Sequence, residues 1–141
     1  MSAVTAPSTR TSANVLLRAL ALGLLVALAL VAVVYGVAKL AGDPLVVQPP
    51  GQASQGVTLV IAWFATLVGG LLGLAAAFVA RLLPRPRTSF LAITLVGLLV
   101  SFVQPFTAAS GATPWWLNLM HVAAAAGLIP PLARVLPDRK A

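Results

Sequence analysis

The chain carries an apolar run over Ala19–Leu40, ALALGLLVALALVAVVYGVAKL, in which Lys39 is the only charged residue. At a helical rise of 1.5 Å per residue, these 22 residues reach about 33 Å, enough to cross the hydrocarbon core of a bilayer. The run is also longer than the ~7–15 apolar residues of a signal peptide. We therefore expect it to remain in the protein as a first transmembrane span.

Composition supports a membrane protein. Of 141 residues, 60% are apolar and 8% are charged, and the mean hydropathy is +1.03, whereas soluble domains carry roughly 25% charged residues. The absence of cysteine excludes disulfides and thiolate chemistry. The net charge of +7 does not indicate nucleic-acid binding, because the basic residues sit at the ends of apolar segments instead of on one water-exposed face. The expected partner is the lipid bilayer.

Three further apolar runs follow the first, separated by a Pro/Gly-rich loop, a basic turn with two prolines and an uncharged connection. Thr88 or Ser89 is expected to cap the third helix, and Thr113, followed by Pro114, the fourth. The sequence predicts an all-α integral membrane bundle of four transmembrane helices over residues 14–136. The predicted helices cover about 15–41, 57–81, 89–106 and 114–136, between a disordered tail (1–13) and a short tail (137–141).

Orientation follows from the basic residues. Eight of the nine lie before the first span, between the second and third, or after the middle of the fourth, and only Lys39 lies at the other side. The positive-inside rule then predicts that both termini are cytoplasmic. In this orientation Arg81, Arg85 and Arg87 of the central turn contact lipid headgroups.

Small residues recur on the second span as Gly69-x-x-x-Gly73-x-x-x-Ala77. Such stripes let helix backbones approach closely in lipid, where no hydrophobic effect drives helices together. The stripe is expected to pack within the bundle; a contact between two copies of the chain is the alternative.

Polar residues inside the predicted spans form a second pattern. Ser101 and Gln104 share a face of the third helix, and Asn118 and His121 share a face of the fourth. Tyr35 lies near the same end of the first helix. These five residues either form a buried hydrogen-bond cluster that fixes helix pairing or line an outward-facing binding pocket.

Catalytic chemistry is not predicted. The two carboxylates, Asp43 and Asp138, lie outside the spans, so no acid–base pair is available within the membrane. One histidine without cysteine cannot complete a zinc site. We expect no cofactor, no metal and no enzymatic activity.

The layout resembles a family of small actinobacterial four-helix membrane proteins of unknown function. The resemblance rests on the basic tail before the first helix, the Gly69-Gly70 pair and the sequence Asn118-Leu119-Met120-His121. It implies a bacterial plasma (inner) membrane protein and assigns no residue roles. The leading hypothesis is a structural or interaction protein, either an accessory subunit with an unidentified membrane partner or a homo-oligomer. The alternative is a small-molecule or lipid-binding, permease-like protein that uses the polar pocket.

Overall fold

The computed structural model describes residues 12–138, and within them the chain is almost entirely helical. Four segments are long and apolar enough to cross a membrane: α1, α2, α3 together with α4, and α5. The prediction of an all-α, four-span architecture is therefore confirmed. The elements are α1 (Ala13–Leu40), β1 (Val46–Val47), β2 (Gln55–Gly56), α2 (Leu59–Ala80), α3 (Pro86–Ser101), α4 (Val103–Ala108) and α5 (Thr113–Arg134).

The predicted tails lie mostly outside the described residues. Of the segment 1–13, only Ser12 and Ala13 are described, and they belong to the first helix: the Ser12 side chain caps α1 by accepting a hydrogen bond from the amide of Val15. Residues 139–141 of the C-terminal tail are also outside.

The two ends of the bundle differ in character. We call one the loop end; it comprises residues 41–58 and 109–112. We call the other the basic end; it comprises the start of α1, the turn 81–85 and residues 135–138. Leu16 near the start of α1 and Leu132 near the end of α5 belong to one core cluster, whereas Val31 and Met120 belong to a second. α1 and α5 are therefore antiparallel neighbours.

Backbone contact between α1 and α5 is the closest helix crossing. A Cβ atom placed on Gly23 would lie 3.2 Å from the carbonyl oxygen of Gly127, and one placed on Gly127 would lie 2.8 Å from the Cβ of Ala27. Only small residues permit this approach, which brings many atoms into van der Waals contact. α2 joins the same pair less tightly, through Gly70 against Leu24.

The third span was predicted to be one continuous helix, but the structure divides it into two. α3 ends at Ser101, and α4 begins at Val103 and ends at Ala108. Pro105 explains the break, because it has no N–H to donate to the carbonyl of Ser101 four residues earlier. α3 also begins earlier than predicted, with Pro86 in its first turn, so neither Thr88 nor Ser89 is its cap.

The loop end is joined to α5 by a carboxylate. Thr113 was predicted to cap α5, but it is the first residue of this helix. Its hydroxyl donates a hydrogen bond to Asp43 Oδ1 at 2.7 Å. The same oxygen accepts the amide of Leu45 at 2.8 Å. The connection between α1 and α2 is thereby held against the start of α5. Directly after β1, the amide of Gln48 donates a hydrogen bond to the carbonyl of Ala108 at the end of α4, at 2.6 Å.

Candidate functional site

A cavity of about 530 Å³ lies between α2, α3 and α5. Along α5 its lining extends from Leu117 to Leu132, which corresponds to about 22 Å of helix. At the loop end it reaches β1 and the residues after it, and toward the basic end it reaches Phe90. The volume is in the range of small-molecule sites in proteins, roughly 300–1,000 Å³. The cavity is long and mostly apolar.

Small residues form much of two walls. A Cβ atom on Gly69 of α2 or on Gly97 of α3 would meet no atom within 4 Å, so both glycines border open space. Because of the short turn 81–85, α2 and α3 stay close at the basic end, and the small side chains above that turn leave the cavity unfilled.

Among residues 12–138, polar side chains interrupt the apolar lining at six positions, and no lining residue is charged. Most of the polar groups lie in the half of the cavity toward the loop end. They are Gln55 of β2, Thr66 of α2, Thr94 and Ser101 of α3, Gln104 of α4 and His121 of α5.

His121 is half-buried on the cavity wall. Its Nδ1 lies 2.8 Å from the carbonyl oxygen of Leu117, one helical turn earlier. Because a carbonyl can only accept, Nδ1 carries the proton, and in the neutral ring Nε2 is an acceptor. No side chain or backbone group within residues 12–138 bonds to Nε2.

The three hydroxyls of the lining bond to their own helices. Thr66 donates to the carbonyl of Ala62 at 2.8 Å, and Thr94 donates to that of Phe90 at 2.8 Å. Ser101 donates to the carbonyl of Leu98 at 2.7 Å. Each hydroxyl proton is thus engaged, while the oxygen keeps lone pairs available to the cavity.

The structure brings three of the five predicted pocket residues to this cavity: Ser101, Gln104 and His121. It places the other two elsewhere. Asn118 is buried against the break between α3 and α4, where its Nδ2 donates to the carbonyl of Phe102 at 3.4 Å and its Oδ1 has no partner among the described residues. Tyr35 lies on α1 beneath the ammonium of Lys39, 5.9 Å from the ring centre, and is not part of the lining.

The predicted packing stripe is divided between two environments. Ala77 is fully buried in the core, and a Cβ on Gly73 would lie 3.6 Å from Leu132 of α5. Both glycines line the cavity, and at Gly69 a Cβ would meet no atom within 4 Å. The tightest backbone approach belongs instead to Gly127 of α5.

The basic turn places its three arginines differently. Arg81 is half-buried, with its guanidinium 5.0 Å from the centre of the Phe78 ring, and its Nη1 is buried without a partner among the described residues. Arg85 is exposed. Arg87 forms a salt bridge with Asp138 at 3.2 Å, and both side chains are well exposed, so this pair adds little stability.

Sequence reasoning missed the wall that α2 contributes. Thr66 and Gly69 face the same space as Thr94 and Gly97 of α3. The sequence feature that could have indicated this wall is that α2 has small residues on one face and large residues, such as the exposed Phe64 and Leu71, on another. That signal does not show whether the small face meets a helix or open space.

Four helices long and apolar enough to cross a membrane indicate a multi-pass membrane protein, and the cavity between them has no charged lining residue within residues 12–138. A family model described as a family of unknown function, DUF6069, matches residues 11–138. The chain belongs to this family. No curated protein and no solved structure matches the chain.

Proposed function

We propose that the protein binds one amphiphilic small molecule or lipid in the cavity between α2, α3 and α5, in the manner of a permease or lipid carrier. The observation that supports this function is the arrangement of the cavity: a long apolar space with polar groups of four helices, α2 to α5, gathered toward one end. An amphiphile has the same division. Its apolar part would lie along Gly69 and Gly97, and its polar group would meet His121.

We further propose that the loop end faces outward and the basic end faces the cytoplasm of a bacterial plasma membrane. The described basic residues support this orientation, because all except Lys39 lie in the half of the bundle toward the basic end. Arg81 and Arg85 would then contact anionic headgroups of the inner leaflet, together with Arg87. The polar half of the cavity would be accessible from outside.

A second candidate function is that of an accessory subunit or homo-oligomer. Its support is the small-residue wall of α2. A Cβ atom on Gly69 would meet no atom of a neighbouring helix of the same chain within 4 Å. A helix from a second copy or from another membrane protein could occupy that space through close backbone approach.

Blocking the cavity distinguishes the two functions. In Gly69→Leu and Gly97→Leu the new side chain enters open space, so the fold should be retained while the cavity volume is lost. Gly36→Leu is the matched control: a Cβ at this position also meets no atom within 4 Å, but the residue lies on α1 outside the cavity. Native mass spectrometry of protein released from lipid nanodiscs reports both a retained small molecule and the number of chains.

We expect the unaltered chain and Gly36→Leu to retain one small molecule per chain, and both cavity variants to lose it. Equal retention in all four proteins would contradict ligand binding in the cavity. If the unaltered chain instead carries no ligand and is a dimer that Gly69→Leu dissociates, the second function is correct.

A further inference from the structure

We infer that the cavity recognises a hydrogen-bond donor on an uncharged head group, and that its ligand is a neutral long-chain alcohol. This inference rests on the proposed ligand-binding function and adds the chemical class of the ligand. It follows from which polar atoms of the lining are already engaged and which remain available.

The first available atom belongs to His121. Its Nδ1–H is held by the carbonyl of Leu117, so the other ring nitrogen of this cavity-lining side chain, Nε2, offers a lone pair and no proton. The ring could offer a second donor only by becoming charged.

The three lining hydroxyl groups are likewise acceptors toward the cavity. Thr66, Thr94 and Ser101 each donate their single proton to a carbonyl of their own helix. What each presents to the cavity is an oxygen with free lone pairs. Four groups on three helices are thus acceptors toward the same space, and donors are supplied by the amides of Gln55 and Gln104, both exposed toward the loop end.

An acceptor-rich wall excludes several head groups. A phosphate or carboxylate would bring only acceptors to a wall whose donors are the amides of Gln55 and Gln104 alone, and no Lys or Arg within residues 12–138 lines the cavity to neutralise its charge. An ammonium group would find acceptors but no counter-charge. A hydroxyl fits, because it can donate to Nε2 of His121 and also accept from the amide of Gln104.

The shape of the cavity requires a long apolar part. Beyond Thr94 the lining toward the basic end is apolar, with Phe90, Ile129 and Leu132. The alkyl chain of a ligand fits there without leaving a polar group unpaired, and the glycines of the two walls leave room for its width. Hydroxyl and chain together describe a fatty or isoprenoid alcohol.

The test uses a sixteen-carbon alcohol that carries a photoreactive diazirine in mid-chain, with the full-length protein in zwitterionic nanodiscs. Cross-linked residues are identified by peptide mass spectrometry. Unlabelled hexadecanol, its methyl ether and hexadecyl phosphate then compete with the probe. The ether keeps the oxygen and the chain but has no proton to donate, so it isolates the hydrogen bond.

We expect cross-links on residues that line the cavity, and hexadecanol should compete about tenfold better than its methyl ether, the ratio that one well-formed hydrogen bond provides. Ser101→Ala, which removes a lining acceptor close to Gln104, and His121→Phe should each reduce that ratio. Thr88→Val, on the exposed side of the same helix, should leave it unchanged. Ser101→Ala remains informative if His121→Phe does not fold.

The outcomes separate this inference from the function on which it rests. Equal competition by alcohol and ether, or stronger competition by the phosphate, overturns donor recognition while leaving binding in the cavity intact. A probe that cross-links only to lipid-exposed surfaces, with no label in the cavity, overturns both.

Discussion

At the scale of single residues, Gly127 is the position that limits how closely the central helices pack. The Cβ of an alanine there would overlap the backbone of Ala27 and lie 2.8 Å from its Cβ, and backbone atoms cannot move aside as a flexible side chain can. We expect Gly127→Ala to lower the free energy of unfolding by about 1–3 kcal/mol, the usual effect of overpacking. Reversible unfolding in mixed micelles with increasing SDS measures this change.

Gly69→Ala is the matched control, because its Cβ would enter the cavity without meeting any atom within 4 Å. It should lose no stability, since alanine also favours the helix more than glycine does. If Gly127→Ala and Gly69→Ala lowered the free energy of unfolding equally, close packing of α1 against α5 at Gly127 would be contradicted. The sequence identifies all these positions as small residues on helix faces. It cannot tell Gly127 from Gly69, because that difference depends on which helix lies opposite.

At the scale of elements, the break between α3 and α4 follows from one missing donor. An alanine at position 105 would supply an N–H to the carbonyl of Ser101 and allow one continuous helix. We expect Pro105→Ala to slow amide hydrogen exchange in residues 102–108 by about two- to tenfold, in proportion to one added hydrogen bond. Hydrogen–deuterium exchange read by mass spectrometry tests this directly.

Pro114→Ala is the control for this change, because Pro114 lies in the first turn of α5, where an N–H has no acceptor within the helix. Exchange that is unaffected by Pro105→Ala would show that packing, through Asn118 and the carbonyl of Phe102, sets the break. Pro105 was visible in the sequence near the end of a predicted span. Its consequence was not, because prolines are also tolerated in helices: Pro130 and Pro131 lie inside α5 without ending it.

The four spans were predictable because their signal is local: each is a long apolar run bounded by loop residues. The cavity was not, because it depends on how far apart α2 and α3 stand. Ser101, Gln104 and His121 could be placed on two faces from spacing alone. That Asn118, three residues from His121, lies instead against the carbonyl of Phe102 depends on the rotation of α5, which three-residue spacing does not fix.

At the scale of the whole molecule, the proposed orientation determines which aqueous phase can supply a ligand. The chain contains no cysteine, so single cysteines introduced at its two ends can be labelled without background. Ser54 at the loop end and Thr88 near the basic end are both exposed. With Ser54→Cys in intact bacterial cells we expect reaction with a membrane-impermeant maleimide, and with Thr88→Cys reaction only after the cells are permeabilised.

This result follows from the energetic penalty of moving Arg81, Arg85 and Arg87 across the membrane during insertion, which keeps short basic turns in the cytoplasm. Complete labelling of the permeabilised Thr88→Cys protein is the control for accessibility. The reverse pattern would place the polar half of the cavity in the cytoplasm, because Gln104 and the strand residue Gln55 line it at the loop end. A ligand would then enter from inside the cell, and outward access would be wrong even if the cavity binds an alcohol.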